Sequence, residues 1–71
     1  MEPNNSEPIK LTKRETEILH LINSGQTNPQ IACTLIISES TVKKHHENLN
    51  SKLQAHNVAQ LIANARSMSF L

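Results

Sequence analysis

The stretch Thr27-Asn28-Pro29-Gln30-Ile31-Ala32-Cys33-Thr34-Leu35-Ile36-Ile37-Ser38-Glu39-Ser40-Thr41-Val42-Lys43-Lys44-His45-His46-Glu47-Asn48-Leu49 contains two helix starts with almost nothing between them. Thr27 can accept from the amide of Gln30 while the Gln30 side chain reaches back to the Thr27 amide, and Pro29 suits a first turn, where its missing amide hydrogen is not needed. Ile31, Ala32 and Leu35 then form the apolar side of that helix. Only Ile36 and Ile37 follow before Ser38, a favourable N-cap for a longer helix predicted over about 39–53. Two helices joined by so short a turn must cross steeply, which is the helix-turn-helix geometry, predicted here over about residues 28–53.

On a helical wheel of about 100° per residue with Val42 at zero, Leu49 and Leu53 fall within about 20° and make the core stripe. Ser40, Lys43, Lys44, Glu47, Asn48 and Ser51 occupy the opposite side as a polar face without an aliphatic residue, flanked by Thr41 and Lys52. Alone, such a face is what any solvated helix shows. Its place on the second helix of a tight pair, with basic and amide side chains in the early turns, is where a recognition helix presents hydrogen-bonding groups to base edges.

Upstream, Thr12 and Glu15 form another capping box, and Gly25 supplies the left-handed conformation that ends a helix. Between them Ile18, Leu21 and Ile22 recur at helical spacing, with Ile9 and Leu11 approaching the same side. Downstream, a fourth helix starts near Asn57 with Val58, Leu61, Ile62 and Ala65 as its apolar side. Ala59 and Ala63 sit together off that stripe, small enough to let another helix approach, although alanines are also simply good helix formers. Met68, Phe70 and Leu71 either fold back on the core or reinforce such a pairing. The expected architecture is all-α, a compact four-helix bundle over residues 9–71. Residues 1–8, with two prolines and no apolar residue after Met1, are expected to be a disordered tail or linker remnant.

Composition narrows the function. Seventy-one residues, 37% of them hydrophobic, support one small core and no second domain. A single Gly excludes the glycine-rich phosphate cradles of dinucleotide-binding and nucleotide-hydrolysing folds. One Cys cannot close an intrachain disulfide, no apolar run approaches the roughly 20 residues of a membrane span, and no secretory signal pattern opens the chain. A cytoplasmic location without a membrane partner is therefore expected. The net charge of +1 hides an asymmetry: residues 1–8 carry Glu2 and Glu7, whereas from Ile9 onward seven Lys or Arg face four Glu, a balance of +3. That permits a DNA partner without demanding one.

His45 and His46 are adjacent and point about 100° apart, and His20 and His56 have no His at chelating spacing, so neither metal nor cofactor is expected. Cys33 is read as a small space-filling residue. No nucleophile motif is present, which points to a binding module rather than an enzyme. Phe70 is the only aromatic, which leaves no stacking platform for single-stranded RNA.

Leu11-Thr12-Lys13-Arg14-Glu15-Thr16-Glu17-Ile18-Leu19, Gly25-Gln26-Thr27-Asn28, Ile31-Ala32, Leu35-Ile36-Ile37-Ser38-Glu39-Ser40-Thr41-Val42-Lys43-Lys44-His45 and Lys52-Leu53 resemble the LuxR-type DNA-binding domain, also called GerE or FixJ/NarL-type. The likeness runs from Leu11 to about Ala65. It implies a bacterial transcriptional regulator whose third helix enters the major groove of double-stranded DNA and whose fourth helix pairs two protomers. Residue by residue it puts Lys43, Lys44 and Glu47 at base-contacting positions, Thr41 and Lys52 on phosphates, and Asn28 close to the backbone. The chemistry agrees, because lysine donates to guanine O6 and N7, a carboxylate accepts from cytosine N4, and hydroxyl or ammonium groups satisfy phosphate oxygens. Three positions depart from the family's usual residues: Glu47 stands where a basic or neutral side chain is common, Val58 where Arg is usual, and Pro29 where Lys or Glu is common. These departures bear on affinity rather than on fold.

The expectation is therefore sequence-specific binding of double-stranded DNA as a homodimer. Asn28, Ser40, Thr41, Lys43, Lys44, Glu47, Asn48, Ser51 and Lys52 would face DNA, and Ala59 and Ala63 would face the second protomer. RNA polymerase is a candidate further partner, and no small-molecule ligand is expected in this domain. The competing reading is a helical protein-interaction module whose polar face meets an acidic partner. Salt separates the two, since DNA affinity falls steeply as salt rises.

Overall fold

Each helix begins where a side-chain oxygen reaches amides that have no partner within the helix. Thr12 Oγ1 accepts from Glu15 N at 3.1 Å and Glu15 Oε1 accepts from Thr12 N at 2.9 Å, and α1 (Lys13–Asn23) follows. Thr27 and Gln30 repeat the arrangement ahead of α2 (Asn28–Leu35). Ser38 Oγ accepts from Thr41 N at 3.1 Å to start α3 (Glu39–Leu53), and Asn57 Oδ1 accepts from Gln60 N at 2.8 Å to start α4 (Val58–Ser67). The computed structural model describes residues 9–71, which form helices and short connections with no strand among the described residues. The tail expected at 1–8 lies outside them.

The helices also stop alike. Gly25, Ile36, Gln54 and Ser69 all have positive φ, and in each case the next residue's N–H donates back across the turn: Gln26 to Leu21 O, Ile37 to Ala32 O, Ala55 to Asn50 O and Phe70 to Ala65 O, at 2.8 to 3.1 Å. This satisfies carbonyls at the helix end and turns the chain sharply. The turn between α2 and α3 is accordingly only Ile36, Ile37 and Ser38.

α3 is the hub, with α1, α2 and α4 each packed against it. Ile18, Leu19, Ile31, Val42, Leu49, Leu53 and Leu61 are fully buried there, and Leu11, Leu21, Leu35, Ile37, Ile62, Phe70 and Leu71 pack on the edge. Phe70 and Leu71 thus fold back on the core, one of the two alternatives open from sequence, whereas Met68 stays exposed. Four expectations need correction. Leu19 is buried and Leu21 only partly so, because the inward stripe of α1 is centred between Ile22 and Leu19. Ile9 is exposed, since the lead-in segment turns inward only at Leu11. Val58 is 47% exposed because it opens α4, whose packing is centred one turn later on Leu61 and Ala65. Cys33 is exposed, about 200° around α2 from Ile31, and fills no space in the core. No helix among the described residues is long and apolar enough to cross a membrane.

Candidate nucleic-acid interface

Val42, Leu49 and Leu53 anchor α3 on one side, so the rigid helix holds its other side in water. Ser40, Lys43, Lys44, Glu47 and Ser51 are exposed along that side and Asn48 is half-buried at its edge. The ion pairs among the described residues are Arg14–Glu17 at 3.2 Å and Lys52–Glu15 at 2.7 Å. Lys43, Lys44 and Glu47 therefore keep their charges free of any described partner, although Glu39, Lys43 and Glu47 stand four apart, where helical pairs commonly close. Two lysines against Glu39 and Glu47 make this outer side balanced in charge, a pattern suited to directional hydrogen bonds more than to bulk attraction.

At the start of α3, Ser38 Oγ lies 3.2 Å from Ser40 Oγ and 2.8 Å from Thr41 Oγ1, so the hydroxyls of these expected contacts are grouped and oriented. Asn28 stands apart from the row. It is half-buried in a groove of about 360 Å³ together with Thr27, His46 and Val58. Burial holds the His46 imidazole below the ordinary value of 6.5. On α4, Ala59 and Ala63 are both exposed, and Arg66 on the same side donates to Asn23 Oδ1 at 3.4 Å.

Lys52 is placed differently from the rest. Its Nζ donates to Glu15 Oε1 at 2.7 Å and to the Lys10 carbonyl at 3.1 Å. Burial alone would push the Glu15 carboxyl up, but the Lys52 ammonium and the Thr12 amide outweigh it and hold the carboxyl below the ordinary 4.5. From its sequence position Glu15 reads only as a helix cap. A signal was present, because Glu15 falls about 60° from Ile18 on the wheel, between the buried Ile22 and Leu19.

A short-turn helix pair whose second member is buried on one side and bare on the other defines a helix-turn-helix domain. Residues 10–65 match the family described as bacterial regulatory proteins, luxR family (GerE), and the chain belongs to that family. It is a LuxR-type DNA-binding domain of transcriptional regulators. The uncharacterized response regulatory protein YgeK of Escherichia coli (strain K12) is 46% identical over 59 residues, which are 83% of this chain and 40% of YgeK. The solved Vibrio cholera VqmA-ligand-DNA complex has a TM-score of 0.82 at 34% identity, covering 99% of this chain and 31% of that one. A Vibrio cholerae VqmA dimer in the absence of target DNA has a TM-score of 0.85, also at 34% identity, and the same coverage of 99% and 31%. The chain thus spans well under half the length of these relatives.

Proposed function

We propose that this domain binds double-stranded DNA sequence-specifically with α3 in the major groove, and that two copies pair through α4. The observation carrying this reading is the row Lys43, Lys44 and Glu47, without an ion-pair partner among the described residues and held outward on a helix whose opposite side is fully buried. Free donors and acceptors on a rigid element are what base-edge recognition requires. Lys43 and Lys44 donate to guanine O6 and N7, and Glu47 accepts from cytosine N4. Ser40, Thr41, Asn48 and Ser51, with Asn28 at the first turn of α2, serve phosphate and sugar oxygens. The VqmA complex with DNA supports the same use of this fold, and the VqmA dimer supports pairing, for which Ala59 and Ala63 offer an exposed strip of small residues. A two-fold pair suits an inverted repeat with half-sites about one helical turn apart. The domain works as a cytoplasmic binding module rather than an enzyme, within a longer regulator and beside RNA polymerase.

Selection of bound duplexes from a random pool tests this directly, with an inverted repeat as the expected product. Lys43→Ala should then cost roughly 1 to 3 kcal/mol on the selected duplex and relax preference at one base pair, with little change on random duplex. Affinity that stays flat as salt rises, with no enriched site, would sink the reading in favour of an acidic protein partner.

A further inference from the structure

Among the expected DNA contacts, Lys52 has a charge already committed within the fold. Its ammonium bridges Glu15, 3% exposed, and the backbone carbonyl of Lys10, while its own side chain is 36% exposed. Helix capping does not account for a buried negative charge at position 15. α2 opens with the same box built from Gln30, which is exposed and uncharged, and its amide oxygen accepts from Thr27 N at 2.8 Å. A buried carboxylate is costly unless paired, so the charge at Glu15 has its reason in Lys52. On α3, Lys52 sits about 110° from the centre of the outer row, so drawing it toward α1 turns that row to solvent.

We propose that Glu15 and Lys52 are positioning residues of the DNA-reading surface. The pair clamps the last turn of α3 to the first turn of α1 and, through the Lys10 carbonyl, to the lead-in segment, so Lys52 orients the helix instead of neutralising a phosphate. The lead-in segment and the reading helix then move as one body, and a displacement of the backbone at Lys10 is felt at the C-terminal end of α3. This rests on the DNA reading above.

The test takes the whole chain, the duplex it selects from a random pool, and a salt series for the wild type, Glu15→Gln, Lys52→Met and the double variant. Gln at position 15 can keep the capping box as Gln30 does, so Glu15→Gln decides the matter even if Lys52→Met unfolds, and circular dichroism checks the helices. The clamp predicts that each single variant weakens binding by roughly three- to thirtyfold. The double variant should be no weaker than the worse single, and all should share one log–log salt slope. A phosphate-contacting Lys52 predicts the opposite sign: freed by Glu15→Gln, it raises affinity and steepens the slope, and Lys52→Met makes the slope shallower by about one. A rise or no change with Glu15→Gln, or additive losses in the double variant, overturns the clamp alone. A wild-type chain that selects no duplex overturns the DNA reading and the clamp together.

Discussion

Ile36 has φ 57 and ψ 52 and is 89% exposed. A left-handed backbone costs an L residue roughly 1–2 kcal/mol, more uncomfortably so when branched at Cβ, and a side chain left in water recovers none of this by burial. Ile36→Gly should therefore raise stability by about 1 kcal/mol, even after the extra freedom glycine gains in the unfolded chain. Urea unfolding reads this, and an unchanged or lowered midpoint would show that Ile36 makes a contribution its exposure conceals. The same residue illustrates what is hidden at this scale. Glycine announces a left-handed position, so the end of α1 was legible at Gly25, whereas Ile36, Gln54 and Ser69 adopt the same conformation with nothing in their chemistry to advertise it. The exposed charges Lys43, Lys44 and Glu47, by contrast, were legible from the wheel, because three apolar residues on the other side fix which way α3 faces.

At the level of the element, α3 depends on its first turn. Ser38 Oγ accepts from Thr41 N and bonds the hydroxyls of Thr41 and Ser40, so a single atom both caps the helix and groups two candidate DNA contacts. Ser38→Ala should cost about 1 kcal/mol of stability, the usual value of an N-cap, and free the first turn of α3. Hydrogen exchange at Thr41 and Val42 should speed up by more than the global loss accounts for; exchange that rises equally in α1 and α3 would deny the cap this local role. Helix starts were the most legible feature of this chain, since each depends on two residues three apart. The inward stripes are less so: helical spacing alone leaves Leu19 out of the core and puts Val58 into it, because the buried angle of a helix depends on which neighbours lie against it and how far they extend.

For the molecule as a whole, Glu15 and His46 both titrate below their ordinary values, for different causes. A depressed value means the folded state binds the proton less readily than the unfolded chain, so each group's contribution is present above its unfolded value and is lost as pH falls through the folded one. His46 contributes a decline that sets in near its ordinary 6.5 as the unfolded imidazole takes up a proton that the half-buried ring resists. Glu15 adds a further decline from its ordinary 4.5 downward as the clamp with Lys52 loses its charge. Urea midpoints should thus fall in two stages on acidification, and Glu15→Gln should flatten the lower stage while leaving the upper. A midpoint that holds steady from neutral pH to well below 6.5 would contradict the part assigned to His46.

What the chain determined by itself was local in origin: caps joining residues three apart, apolar spacing within a helix, and the polar row that spacing leaves outside. Tertiary packing alone decided that Lys52 meets Glu15 across 37 residues of sequence and Lys10 across 42, that Val58 and Ile9 remain in water, and that Phe70 and Leu71 close over the core. The division follows from range. A helix cap is satisfied within its own turn, whereas the partner of a buried charge exists only once separate helices have been laid side by side.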